Sequence, residues 1–302
     1  MTTTSALLPG APFPVTAPGS DRLDDDRVRV DHLLVTTAAG PLTAVRARPA
    51  TQPVRGQALL VPGFTGSKED FLPLLPLLAA RGWDVLAYSQ RGQADSAHAT
   101  PDEVGSYGLD DFARDALVVA AALAADGAPG VGRVHLLGHS FGGVVARAAA
   151  LLSPGSFADL TLLCSGPHGW PDRKADVVAA LEAHPEASTW ELDHRDDPTA
   201  AADPEQAFFR ERAARTSRAS LLGALAILQD TTDTTAALAA TGLPVLVAHG
   251  EADDAWPQAW QQAMATTLGA RYTVIPGAGH LPNTEAPEAT AAELRTFWSQ
   301  HH

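Results

Sequence analysis

Residues Gly138-His139-Ser140-Phe141-Gly142 set a serine between two glycines, after a mostly apolar run from Val134 and before a run of small and aliphatic residues to Leu152. At this chain's glycine and serine frequencies such a pentapeptide arises by chance in roughly one chain in ten. Its setting says more than its letters. A strand that turns directly into a helix needs small residues beside the turn, because neighbouring backbone comes close. The serine hydroxyl then projects at the amino end of a helix, where the dipole favours an anion. The chemistry on offer is nucleophilic attack, with the structural alternative of a plain glycine-rich turn.

A serine hydroxyl is a weak nucleophile until a base takes its proton. A strand-to-helix elbow expects the order serine, then acid, then histidine along the chain. After the late apolar run at 245–249, Glu251, Asp253 and Asp254 supply acids; after the last apolar run, His280 supplies the base. Ten other histidines compete. His301 and His302 are terminal, His32 and His135 fall within strands, and His139 reads as facing away from the place a base must occupy. His98 lies in a loop, His249 reads as a buried, hydrogen-bonded residue, and His168, His184 and His194 fall in a helical insertion where a substrate contact is conceivable. His280 remains as the base.

These residues need a scaffold, and the hydrophobic pattern supplies one. Strands are expected at 28–37, 42–49, 57–64, 83–89, 133–140, 158–166, 243–250 and 271–279. Helices are expected at 68–82, 109–126, 141–152, 255–269 and 285–300, with Gly82 closing the first and acidic residues opening the second. Alternating short apolar strands and helices indicate a mostly parallel, eight-stranded sheet covered on both faces, an α/β fold whose site lies at the carboxyl ends of strands. Residues 1–26 form a Pro/Thr-rich arm, mobile or draped over the surface. Core follows at 27–166 and 243–302. Between them, 167–242 carries helical periodicity and no strand run, as expected of a helical cap inserted in the core.

The chain has 302 residues, 45% hydrophobic and 19% charged, enough for one large domain with an insertion. A net charge of −14 argues against nucleic acid or an anionic membrane surface as partner. The amino-terminal twenty residues lack a basic segment and are broken by prolines, so neither a signal peptide nor a membrane span is expected there. Cys164 is the sole cysteine, which fits a reducing compartment, and a cytoplasmic location is expected.

From Val28 to Gln300 the chain resembles an α/β-hydrolase-fold serine hydrolase of the capped, lipase/esterase-like kind. The resemblance rests on Gly-His-Ser-Phe-Gly-Gly around Ser140, His-Gly-Glu-Ala-Asp-Asp-Ala-Trp-Pro around Asp253, and Gly-Ala-Gly-His-Leu-Pro-Asn around His280. It implies Asp253 as the acid, since the family's loop places a proline four residues after it. It also extends to Ser89-Gln90-Arg91-Gly92-Gln93-Ala94-Asp95-Ser96, where Ser89 and Ala94 depart from the usual aspartate and glycine. The implied oxyanion donors are the backbone N–H groups of Phe141 and Phe64. The Pro62-Gly63 before Phe64 replaces a common His-Gly, and no HGGG run is present. Both phenyl rings are candidate apolar walls, or core residues.

The resemblance implies hydrolysis of a carboxylic ester or lactone through Ser140, His280 and Asp253 and an acyl-enzyme, with no metal or organic cofactor. A carbon–carbon bond hydrolase, thioesterase or cofactor-free perhydrolase would use the same residues, and a catalytically weak ligand receptor is the reading from another class. A serine at the elbow speaks against dehalogenases and epoxide hydrolases of this fold, which use aspartate. The expected partner is a small apolar acyl compound. Its pocket would draw on Trp170, Trp190, Phe208, Phe209 and the run Ser220–Leu228, residues whose pattern better suits helix packing inside the cap. Oligomeric state is not legible.

Overall fold

The computed structural model describes residues 6–23, 25–98, 106–127, 132–171, 173–197 and 199–301. Residues 1–5 and 24 of the expected arm and His302 lie outside them. Nine strands form one sheet: β1 (Leu7–Pro9), β2 (Val28–Thr37), β3 (Gly40–Pro49), β4 (Gly56–Val61), β5 (Trp83–Tyr88), β6 (Val134–His139), β7 (Phe157–Leu163), β8 (Val245–Gly250) and β9 (Arg271–Ile275). Their spatial order is β1-β2-β3-β5-β4-β6-β7-β8-β9. Pairs from β5 through β9 are parallel, and those among β1, β2, β3 and β5 are antiparallel. The eight expected strands are β2 to β9.

The ninth comes from the arm. Leu7, Leu8 and Pro9 pair with Val35, Leu34 and Leu33, and Phe13 is buried. Of the two alternatives the composition left open, mobile or draped over the surface, its described part is attached. Three residues beside prolines carry too little periodicity to be read as a strand; the exposed edge of β2 makes them one.

Helices α1 (Leu75–Ala79), α2 (Leu109–Ala125) and α3 (Phe141–Leu152) precede and follow the middle strands, while α9 (Gln258–Leu268), α10 (Pro282–Glu285) and α11 (Pro287–Trp298) accompany the last two. The helix expected at 68–82 is reduced to a short 3-10 turn, Lys68–Phe71, and α1, because prolines at 73 and 76 cannot donate within a continuous helix. On β4 the alternation sends Leu59 and Val61 to the core under α2 and α3, and Ala58 and Leu60 to the core under α1 and α11. A strand buried on both faces thus reads as one apolar run.

Between β7 and β8 the chain leaves the sheet for α4 (Ala175–Ala183), α5 (Thr189–Asp193), α6 (Ala207–Arg215), α7 (Arg218–Gln229) and α8 (Thr235–Ala240). The outgoing and returning legs are tied: Gly169 N–H donates to Asp230 O at 2.7 Å and Trp170 N–H to Leu228 O at 2.9 Å. Arg212 on α6 meets Asp70 at 2.5 Å, and Phe208 stacks edge-on against Phe13 of the arm at 5.2 Å. No helix among the described residues is long and apolar enough to cross a membrane.

Candidate active site

Ser140 stands between β6 and α3 with φ 55° and ψ −121°, a region that non-glycine residues seldom occupy and that costs on the order of 1–3 kcal/mol. Its neighbours make the conformation enforceable. A side chain on Gly138 would collide with the Gly142 carbonyl, and one on Gly142 with the Val61 carbonyl of β4. Ser140 N–H donates to Leu163 O of β7 at 2.8 Å, which fixes the turn to the next strand. Phe141 opens α3, so its N–H has no carbonyl one turn earlier to bond.

The strand ends bring the three distant residues together. His280 Nε2 lies 3.0 Å from Ser140 Oγ, and its Nδ1 lies 2.8 Å from Asp253 Oδ1. Asp253 is buried; Gln261 Nε2 donates to its Oδ2 at 2.9 Å and Ala255 N–H to its Oδ1 at 3.1 Å. Burial works against the Asp253 carboxylate, but hydrogen bonds from His280 and Gln261 outweigh it and hold its pKa below the ordinary value. The other acids are elsewhere: Asp254 is exposed, and Glu251 accepts from Gly277 N–H at 3.1 Å. With Nδ1 bonded to a carboxylate, the lone pair of His280 Nε2 can take the Ser140 proton.

His139 does not face away as the sequence suggested. Its Nε2 donates to the His280 carbonyl at 2.7 Å, and the two rings stand 5.0 Å apart. Burial, and then the nearness of His280, push its pKa down to about 4, so it is neutral at pH 7. Among the described residues, one group of potential metal donors converges: His139, Cys164 and His280, within 4.8 Å. Both ring nitrogens of His280 already serve Ser140 and Asp253, and burial drives the Cys164 thiol well above its usual pKa. A metal there would have to dismantle the serine–histidine–aspartate chain.

The loop after β4 lies directly against the serine. A Cβ on Gly63 would stand 3.4 Å from Ser140 Cβ, and the Phe64 N–H has no acceptor among the described residues. Two glutamines from the loop after β5 hold that segment. Gln90 Nε2 donates to Pro62 O at 2.9 Å, and Gln93 Nε2 to Gly63 O at 2.7 Å and Phe64 O at 3.2 Å. Sequence reasoning missed Gln90, Gln93 and Gln261. For Gln90 and Gln93 the place after a strand end was the available signal, but their partners lie 28 to 30 residues away, and Gln261 lies within α9 with no such signal.

A cavity of about 400 Å³ opens above Ser140 and His280. Of the four aromatic residues expected to line it, Trp170 and Phe209 do so. Trp190 and Phe208 do not: Trp190 stacks on His194 at 4.4 Å, and Phe208 packs on Phe13 and Phe209. Leu228 lines the cavity from the end of the 220–228 run. Phe64 is a wall, whereas the Phe141 ring points into the core against Phe112 at 5.4 Å. Unforeseen lining comes from Trp256, Leu281 and Pro18, the last from the arm. His168, His184 and His194 are not among the lining residues.

A model of the alpha/beta hydrolase family matches residues 58–293. A protein of Variovorax paradoxus (strain S110), provisionally named carbamate hydrolase RutD, is 30% identical over 245 residues, covering 76% of this chain and 86% of the relative. The non-heme haloperoxidase of Rhodococcus erythropolis is 30% identical over 263 residues, covering 78% of this chain and 89% of the relative. Among solved structures, a hydrolase from Pseudomonas aeruginosa PA01 superposes with a TM-score of 0.69 at 26% identity, over 88% of this chain and 98% of that one.

Proposed function

The chain belongs to the alpha/beta hydrolase family, and we propose that it is a serine hydrolase cleaving a small carboxylic ester or lactone, with Ser140 as nucleophile, His280 as base and Asp253 as its orienting acid. The observation that carries the reading is the unbroken hydrogen-bond chain from Ser140 through His280 to buried Asp253, at the floor of a mostly apolar cavity. Ser140 Oγ attacks the acyl carbonyl as His280 Nε2 takes its proton. The carbonyl oxygen, now negative, is held by the N–H groups of Phe64 and Phe141. Collapse expels the alcohol, which receives the proton from His280. Water, deprotonated by His280, then adds to the acyl-serine, and the acid leaves as Ser140 regains its proton. Asp253 stabilises the imidazolium throughout.

Residues 167–242 act in this reading as a cap, with Trp170, Phe209 and Leu228 forming its contribution to the acyl pocket. The lone cysteine, Cys164, supports a cytoplasmic setting. A carbamate is also an acyl compound, and the Variovorax relative bears that substrate class in its name, so carbamates belong in the same substrate panel.

The test combines a fluorophosphonate probe with p-nitrophenyl esters from acetate to palmitate, lactones, thioesters and carbamates. The wild-type protein is expected to be labelled at Ser140 and to cleave esters. Ser140→Ala should lose both while keeping its thermal unfolding profile. An unlabelled wild type, or a fully active Ser140→Ala, sinks the assignment.

A further inference from the structure

The chain has two lysines, and they are satisfied very differently. Lys68 is buried, with its Nζ 2.7 Å from Glu69 and 2.7 Å from Asp95. Lys174, half-buried just before α4, lines the cavity above Ser140, and its Nζ makes no hydrogen bond or ion pair with a described residue. The other charged lining groups do not neutralise it. Arg212 is matched by Asp70 at 2.5 Å. Arg173 reaches Asp254 only at 3.5 Å, between exposed side chains, and lies over the Trp170 ring at 5.7 Å. Such an exposed, long pair contributes little. Among the described lining residues, three cations and two carboxylates therefore leave one surplus positive charge, in a chain whose net charge is −14.

A half-desolvated ammonium without a counter-ion is a cost that a ligand's anion would offset. Desolvation and then the charge of Arg173 depress the Lys174 pKa, with Asp193 and Asp254 opposing them from beyond contact. We propose that the substrate carries a carboxylate remote from its scissile acyl group, and that Lys174, with Arg173 beside it, binds that carboxylate. A single surplus charge suits a monoanionic carboxylate better than a dianionic phosphate. Apolar Trp170, Phe209 and Leu228 would then face the spacer between the two ends. Assigning the anion to a substrate rests on the hydrolase reading; the anion site itself does not.

The experiment pairs p-nitrophenyl monoesters of six- to nine-carbon dicarboxylic acids with the matching ω-carboxamide esters, on wild type and Lys174→Met. At the best chain length the carboxylate ester is expected to exceed its carboxamide by about tenfold in kcat/KM, mostly through KM. Lys174→Met should abolish that preference, lowering kcat/KM for the carboxylate ester about tenfold more than for its carboxamide. In parallel, calorimetry compares hexanoate with hexanamide on Ser140→Ala, with and without Lys174→Met. Tighter binding of hexanoate that depends on Lys174 supports the site even where no ester is cleaved, an outcome that would refute the hydrolase reading alone. Ester cleavage with no carboxylate preference at any length, or a preference that survives Lys174→Met, overturns the anion site and leaves the hydrolase intact.

Discussion

Gln93 hydrogen-bonds neither Ser140 nor His280, yet substituting it tests whether the loop at 62–64 presents an oxyanion donor. Its Nε2 donates to Gly63 O at 2.7 Å and to Phe64 O at 3.2 Å, and its Oε1 accepts from Gln90 N–H at 3.0 Å. Gln93→Met keeps the length of the side chain and removes all three. At about 0.5–1.5 kcal/mol net per neutral hydrogen bond, the loss over three bonds is about 1.5–4.5 kcal/mol. The rate effect has a separate origin. Losing one oxyanion donor outright costs about 10²–10³ in kcat, and a loosened donor about ten- to a hundredfold. The assay is steady-state ester hydrolysis beside thermal unfolding, with Val119→Ala as control, since buried Val119 lies on α2 and its truncation costs stability in the same range. Both variants should unfold earlier. Only Gln93→Met should lose kcat at nearly constant KM, because in the proposed mechanism the Phe64 N–H acts on the transition state. A folded Gln93→Met with wild-type kcat, or an equal loss in Val119→Ala, refutes the reasoning.

Acid should weaken the fold through His139. Its pKa is about 4 in the folded chain against 6.5 when exposed, so the unfolded state binds the extra proton and stability falls as pH drops from 6.5 towards 4. The full shift corresponds to on the order of 3 kcal/mol; chemical denaturation at pH 7 and 4.5 should show a smaller drop for His139→Asn, and an identical drop would exclude this residue. Trp170→Ala should raise KM several-fold for long acyl chains, whereas Trp190→Ala should lower the Tm and leave KM alone; the reverse pattern would contradict the lining seen here. Ala94 holds φ 48°, where an alanine is strained by about 1–2 kcal/mol. Ala94→Gly relieves that strain at a smaller entropic cost and should raise the Tm by a few degrees in calorimetry; a lowered Tm would show that the strain is absent.

How far the sequence carries depends on whether a residue's role is set locally. The strands were legible because each is a short apolar run with turn residues at its ends, as at 245–250. The ends of α1 were not, although Pro73 and Pro76 stood in plain view, because leucine spacing outweighed them. Ser140, Asp253 and His280 were legible for the same local reason: each follows a strand, and a parallel sheet delivers strand ends to one edge. Gln93, Gln261 and His139 were opaque, since their partners lie 30, 8 and 141 residues away and no pattern marks a glutamine that will meet a loop carbonyl. Ala94 sits between these cases. Its departure from glycine was visible, but the positive φ that gives it meaning belongs to the folded loop.

The pocket shows the limit most sharply. Phe208 and Phe209 are adjacent and chemically identical, yet one packs on the arm and the other on the cavity. Neighbours on a helix point about 100° apart, so the choice depends on how α6 is rotated over the core. That rotation is held by contacts from outside the helix: Arg212 on Asp70, and Phe208 on Phe13 of the arm. Pro18, from the same arm, reaches the cavity wall. The arm therefore helps to set which aromatic ring faces the cavity, and in the proposed function a stretch whose composition suggests a mobile or draped tail would bear on specificity.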